Sequence, residues 1–211
     1  MPSGSPPLVG VILAGGSSTR MGRDKLLMPV AGKPMLAHAV ERLSSQVDRL
    51  VLSANGDPGR FSAFGLPVAA DVITGRLGPL AGLHAGMLWS KANLPDARFI
   101  ISVAADTPFF PPDFVARLSQ GHDTATIVLA ASSGGTHSVF GLWPIKLADD
   151  LEAFLTNGEN PKVLNFADRH RPQVVSFADL ALANGETVDP FFNVNTPEDA
   201  RRAEQIAAAL G

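Results

Sequence analysis

The residues with the most evident chemical use lie in one glycine-rich run, Leu13-Ala14-Gly15-Gly16-Ser17-Ser18-Thr19-Arg20-Met21-Gly22-Arg23-Asp24-Lys25. Glycines let backbone N–H groups close on an anion, because no Cβ holds the ligand away. Arg20 and Lys25 add positive charge, with Arg23 nearby. A guanidinium can clamp two phosphate oxygens in a planar fork, while an ammonium acts as a point charge. Phosphate binding is the chemistry these types suit. Two better-known phosphate loops do not fit the spelling. Gly15 and Gly16 are adjacent, so G-x-G-x-x-G is absent from the run; the one Gly-Lys pair, Gly32-Lys33, is followed by Pro34, so Walker A is absent too. A polar glycine turn with solvated basic side chains is the other reading.

Asp106 is the second candidate. It follows the apolar run Phe99–Ala104 and precedes Thr107-Pro108. Mg²⁺ prefers oxygen ligands and takes one or two carboxylates plus substrate phosphates. Asp106 therefore reads as a metal ligand, or else as an Asp organising the turn before Pro108. Asn193 and Asn195 flank Val194, and alternation would put both amides on one side of an extended segment. They suit a metal, a phosphate or the edge of an acceptor; alternatively, Asn195 and Thr196 only organise the start of the last helix. His137 follows Ser132-Ser133-Gly134-Gly135, a position open to an acceptor pocket. The histidines lack metal-ligand spacing, so no zinc site is expected.

These residues need a scaffold. Leu8–Ala14 is a short Val/Ile/Leu-rich run ending in glycine, suited to a strand buried on both faces of a parallel sheet. Further strands are expected at Arg49–Ala54, Leu66–Ala70, Phe99–Ala104, Thr124–Ala131, His137–Trp143 and Gln173–Phe177, with a short extended piece at Phe191–Val194. Helices are expected from Pro34, over Gly78–Lys91, Pro111–Leu118, Ile145–Leu155 and Pro161–Asp168, and over Pro197–Leu210, where Thr196 is N-cap and Asp199 sits at N3. Gly82 and Gly86, four apart on one helix face, permit close approach to a neighbour. Strands alternating with helices imply right-handed βαβ units and an α/β fold with a mostly parallel sheet. The hairpin-like stretch at residues 124–143 makes that sheet partly mixed. In such sheets ligands bind beyond the carboxyl ends of the strands, where both the glycine run and Asp106 fall.

The spelling L-A-G-G-x-S-x-R-M-G-x-D-K resembles the signature loop of MobA-type nucleotidyltransferases, the molybdenum cofactor guanylyltransferases. Gly32-Lys33-Pro34-Met35, Gly78-Pro79-Leu80-Ala81-Gly82, Asp106-Thr107-Pro108 and Asn193-Val194-Asn195-Thr196-Pro197 match the family in order, so the resemblance runs from about residue 8 to about residue 205. It implies a Rossmann-like three-layer nucleotidyltransferase fold, Mg²⁺ as cofactor, and transfer of GMP from GTP to the phosphate of molybdopterin. It implies Arg20, Lys25 and Asp106 as catalytic residues, with Asp106 holding the metal. Leu13, Ala14, Gly15, Gly16, Lys25, Ser53, Asp71 and Asp106 are implied at the nucleotide, and Asn193 and Asn195 at the acceptor. Asp71, at the end of its strand, would lie on the guanine or ribose side; a simple turn residue is its other reading. The family often has Asn where Ser53 stands, in Val51-Leu52-Ser53-Ala54-Asn55. Contact there is then weaker, bridged by water, or supplied by Asn55. The Leu-Ala-Gly-Gly spelling resembles guanylyl rather than cytidylyl enzymes, which tend to Leu-Ala-Ala-Gly, and Gly15 leaves room for a purine. The rivals are a molybdopterin cytidylyltransferase, a sugar-1-phosphate nucleotidyltransferase, and a non-catalytic nucleotide- or molybdopterin-binding adaptor.

The whole chain sets outer limits. With 211 residues and no composition break, residues 8–211 read as one domain after a frayed start at residues 1–7. A net charge of −3 gives no electrostatic case for nucleic acid or an anionic membrane. No cysteine means no disulfide and no thiolate metal site. No secretory signal or membrane span is read, so a cytoplasmic protein is expected. Its expected partners are its substrates and, transiently, molybdopterin-delivering and molybdoenzyme-maturation proteins.

Overall fold

The computed structural model describes residues 6–15, 25–75, 77–120, 126–158 and 160–210. Gly16, Arg20, Arg23 and most of the expected frayed start lie outside the described residues.

The first apolar run forms β1 (Leu8–Leu13), and its pleat sends alternate residues to opposite faces. Val9 and Val11 join one apolar cluster and Ile12 the other, so the strand is buried on both sides as its composition predicts. The chain continues through β2 (Pro29–Val30), β3 (Lys33–Pro34), α1 (Met35–Ser44), β4 (Arg49–Ser53), β5 (Val68–Ala69), α2 (Pro79–Asn93), β6 (Phe99–Ala104), α3 (Phe114–Ser119), β7 (Val128–Ser132), β8 (Gly135–Pro144), α4 (Ala148–Thr156), α5 (Val163–Arg169), β9 (Gln173–Ser176), β10 (Leu180–Ala181), β11 (Thr187–Val188) and α6 (Pro197–Leu210). Seven strands make one sheet in the order β5-β4-β1-β6-β8-β7-β9. Within it β8 alone runs against the rest, pairing antiparallel with β6 and β7. The sheet is thus mostly parallel and partly mixed, as expected.

Helices cover both faces. Met35, Leu36 and Leu43 of α1, Phe114 of α3 and Ile206 of α6 pack on one side; Leu80 and Met87 of α2, Leu151 of α4 and Phe166 of α5 pack on the other. Helix α2 is buried almost all round, since it lies between the sheet and α4. Its glycines make that possible: a Cβ on Gly86 would lie 2.6 Å from Val11 Cγ2, and one on Gly82 2.6 Å from Ser53 Oγ.

The short piece at Phe191–Val194 belongs to no strand of the sheet, and a turn leads into it. Asp189 Oδ1 accepts the Phe191 N–H (2.8 Å) and the Asp189 carbonyl accepts the Phe192 N–H (3.0 Å), so the chain turns there. Helix α5 starts at Val163 rather than Pro161, because Lys162 is extended at ψ 137. The first long helix starts one residue after Pro34, which caps it. The β2–β3 hairpin turns through Ala31 (φ 49) and Gly32 (φ 76), a geometry that suits a two-residue hairpin loop. At α6 the expected cap is present: the Asp199 N–H donates to Thr196 Oγ1 (3.1 Å) and Asp199 Oδ2 accepts the Thr196 N–H (2.8 Å).

The close seating of α2 yields a prediction. Gly86→Ala gains about 1 kcal/mol of helix propensity, but its methyl meets a β-branched side chain fixed in the sheet, and overpacking of this kind costs about 1–3 kcal/mol. A net loss in urea denaturation is expected; a net gain would show that α2 stands off the sheet in solution. The same helix carries His84, only 1% exposed, with neither ring nitrogen hydrogen-bonded and Glu152 Oε2 3.8 Å away. Burial pushes its pKa down, partly offset by Glu152 and Asp149. The unfolded chain then binds the proton first, so this contribution is full above a pH of about 6.5 and declines as pH falls through it. His84→Leu is expected to flatten the dependence of unfolding free energy on pH between about 7 and 5; an unchanged slope would refute this.

Candidate active site

The parallel strands β5, β4, β1 and β6 are neighbours, so their carboxyl ends share one rim. The residues after β4, β1 and β6 are each pinned to the neighbouring strand. Ala54 N donates to Ala69 O (3.1 Å), Ala14 N to Ser53 O (2.9 Å), and Ala105 N to Leu13 O (3.1 Å). These bonds extend the ladder one step past the strands and fix where Ala14-Gly15, Asn55, Asp71 and Asp106 emerge. A Cβ on Gly15 would meet nothing within 4 Å, so the space beside the β1 end is open.

Lys25 returns to this rim from the far side of the glycine run. It opens a 3₁₀ turn, Lys25–Leu27, held down by buried Leu26. Its ammonium donates to Asp106 Oδ2 (2.7 Å), Asn195 Oδ1 (2.9 Å) and the Val194 carbonyl (3.2 Å). The Lys25 and Asp106 side chains are each 19% exposed, so the pair is shielded yet open to a ligand. The Val194 N–H in turn donates to the Asp106 carbonyl (2.9 Å), which clips the segment before α6 to the end of β6. Asn195 is steadied from behind, its N–H donating to Asp199 Oδ2 (2.9 Å). That backbone bond, joined by the Thr196 bonds and the Lys25 charge, holds the Asp199 carboxyl below its ordinary pKa.

A positive charge thus sits among a carboxylate, an amide oxygen and a peptide carbonyl. This is a hard, all-oxygen donor set of the kind Mg²⁺ takes. Among the described residues no group of three or more His, Cys, Asp or Glu could hold a metal. A cation here would rest on one carboxylate, neutral oxygens and substrate phosphates. The lysine's own position within that set is the observation that the residues fit such an ion. Behind Lys25 lies a small, mainly apolar depression bordered by Met28, Val30, Met35 and Ala200.

The structure therefore joins Lys25, Asp106 and Asn195, and sets Leu13, Ala14 and Gly15 on the same rim. It does not bring Asn193 into the oxygen set; Asn193 is exposed beside it. Ser53 is 2% exposed, with its hydroxyl beneath Gly82, and it faces the rim only through its carbonyl. Asp71 is paired with Asn55 farther along the rim. His137 is engaged as well. Ser132 Oγ lies 2.6 Å from its Nε2 and donates to Asp189 Oδ2 (2.7 Å), and the ring stacks on Phe191 at 4.3 Å. Burial lowers its pKa, partly offset by Asp189. The Val194 carbonyl was missed in the sequence, since any residue type can supply it.

The strength of the central pair can be measured. A double-mutant cycle on Lys25→Met and Asp106→Asn is expected to give a coupling of about 0.5–3 kcal/mol in urea denaturation. Additivity within about 0.3 kcal/mol would mean that the two groups do not meet in the free protein.

Comparison with known proteins bears on this site. Residues 10–174 match the family model of the MobA-like NTP transferase domain. The chain is 46% identical over 205 residues to the molybdenum cofactor guanylyltransferase of Rhodopseudomonas palustris (strain BisB5), covering 96% of this chain and 95% of that protein. It is 46% identical over 203 residues to that of Bradyrhizobium sp. (strain ORS 278), covering 94% and 92%. Among solved structures, molybdopterin-guanine dinucleotide biosynthesis protein A from Archaeoglobus fulgidus superposes with a TM-score of 0.69 at 24% identity, over 95% of this chain and 98% of that one. That likeness shows a shared fold.

Proposed function

This chain belongs to the MobA-like NTP transferase family, and from that premise we propose that it transfers GMP from GTP to the phosphate of molybdopterin, releasing pyrophosphate. The observation that carries this reading is the meeting of Lys25, Asp106 and Asn195 at the rim where the glycine run begins. It is supported by relatives of near-equal length that bear the name guanylyltransferase.

An oxygen of the molybdopterin phosphate attacks the α-phosphorus of GTP. A new P–O bond forms, the bond from the α-phosphorus to the bridging oxygen breaks, and the electron pair leaves with pyrophosphate. The nucleophile is already an anion, so no base and no covalent enzyme intermediate are needed. Positioning and charge neutralisation remain for the protein to supply. Leu13 and Ala14, held in the ladder, deliver Gly15 and Gly16 to the triphosphate as backbone contacts; Arg20 and Lys25 counter its charge, most strongly as it shifts toward the leaving group. Asp106, helped by Asn195, would hold Mg²⁺. The chemistry the ion supplies there is neutralisation of phosphate oxygens. Asn193, exposed on the far side of Val194, faces the acceptor, as does Asn195. Asp71 takes the base.

No helix among the described residues is long and apolar enough to cross a membrane. We place the reaction in the cytoplasm, with molybdopterin-delivering and molybdoenzyme-maturation proteins as transient partners.

Pyrophosphate release from GTP, Mg²⁺ and molybdopterin tests the reading. Turnover is expected with GTP over CTP, and none with mannose-1-phosphate as acceptor. Asp106→Ala is expected to reduce kcat by about 10²–10³-fold or more, and EDTA to abolish release until Mg²⁺ is restored. Preference for CTP would make the chain a cytidylyltransferase; turnover of mannose-1-phosphate would make it a sugar nucleotidyltransferase; no release from the wild type would leave a binding adaptor.

A further inference from the structure

Asn55 and Asp71 are joined by a reciprocal pair of hydrogen bonds. Asn55 Nδ2 donates to Asp71 Oδ2 (2.7 Å), and the Asp71 N–H donates to Asn55 Oδ1 (2.9 Å). The two residues stand just past the ends of β4 and β5. Asn55 is itself fixed: the ladder bond from Ala54 N to Ala69 O precedes it, and Arg60 donates to its carbonyl (3.3 Å). Asp71 belongs to no helix or strand, and both its hydrogen bonds to described residues go to Asn55. Asn55 is therefore what sets the direction of this carboxylate.

The place on the rim matters. In the order β5-β4-β1-β6, the Asn55–Asp71 pair lies at one end and Asp106 at the other. Adjacent strands are about 4.8 Å apart, so the three steps from β5 to β6 span about 14 Å. An extended nucleotide with its phosphates at Lys25 and Asp106 reaches this pair with its base.

Guanine differs from the other bases in the edge it presents. Its N1–H and N2–H are adjacent donors, whereas adenine and cytosine each set an amino group beside a ring nitrogen that accepts. A carboxylate has about four lone-pair sites, and the bond from Asn55 occupies one. Both oxygens of Asp71 can still accept, which matches two adjacent donors and sets a repulsive lone pair against a ring acceptor. The discrimination holds only while the carboxylate is kept in one orientation. A polar site oriented for specific donors rejects a ligand that lacks them far better than an apolar site does.

We propose that Asn55 is a positioning residue that determines nucleobase specificity by holding the Asp71 carboxylate toward the paired donors of guanine. This rests on the reading of Asp71 as the base contact. Asn55 touches neither phosphate nor metal in this arrangement, so its loss acts on binding and selection rather than on the chemical step.

Steady-state pyrophosphate release by the full chain, with GTP and CTP compared, provides the test. Asn55→Ala is expected to raise the KM for GTP about tenfold, the scale of one freed side chain that must be re-ordered on binding. The kcat should stay within about twofold and CTP turnover should be unmoved, so the GTP-to-CTP ratio of kcat/KM falls. Asn55→Ser keeps a hydroxyl donor and should fall between the two; it carries the same test if the alanine variant does not fold. An equal loss for both nucleotides, a loss confined to kcat, or no change in the ratio would overturn the role given to Asn55. Asp71→Asn separates this from the underlying reading. If that variant leaves the GTP-to-CTP ratio intact, or the wild type shows no preference for GTP, then Asp71 is not the base contact and the fault lies there.

Discussion

One ammonium group ties together three distant stretches of chain. Lys25 follows the glycine run, Asp106 lies just past β6, and Val194-Asn195 precedes the last helix, yet their polar atoms converge within hydrogen-bonding distance of a single nitrogen. Without that charge, three oxygens would crowd a half-buried spot with no donor between them, an arrangement that is costly in a shielded setting. The rest of the structure delivers these groups. The parallel ladder fixes the height at which Asp106 leaves the sheet, the Asp199 cap fixes Asn195, and Leu26 anchors the turn that aims Lys25.

Much of this was legible in the residues. Leu8–Leu13 read as a doubly buried strand because every position but Gly10 is large and apolar, and the two packing clusters show why. Gly82 and Gly86 announced close approach to a neighbour, and a Cβ on either would land on Ser53 or Val11 of the sheet. Thr196 and Asp199 announced the start of α6 by their spacing alone. Such features are local, or depend on one residue's size, and a sequence displays both directly.

What stayed hidden depends on context. Asp189 turns the chain at Phe191 with its carboxylate, which no alternation pattern displays, and the two asparagines beyond it are used differently. Only Asn195 reaches Lys25. The Val194 carbonyl carries no signature in any side chain. The β2–β3 and β10–β11 ladders are two residues per strand, too short for any periodicity to register. Ser53 illustrates the reverse. Its departure from the family's asparagine left a weaker contact, a water bridge or a role for Asn55 all open; the hydroxyl lies inside, under α2, and the Asn55 amide is at the surface, bonded to Asp71.

The reversed strand in the sheet shapes the site in a different way. β8 pairs with β6 from Gly141 to Pro144, while its first residues, Gly135–His137, pair with β7 alone. The β7–β8 hairpin consequently overhangs the edge on the Asp106 side. It is buttressed by the Ser132–Asp189 bond and by the His137 ring against Phe191. The two banks of the cleft are thus unlike. One is made of connections between parallel strands; the other is a braced parapet whose tight bend leaves it little slack. Anything that meets that second bank meets a fixed contour, so shape rather than enclosure governs what fits against it.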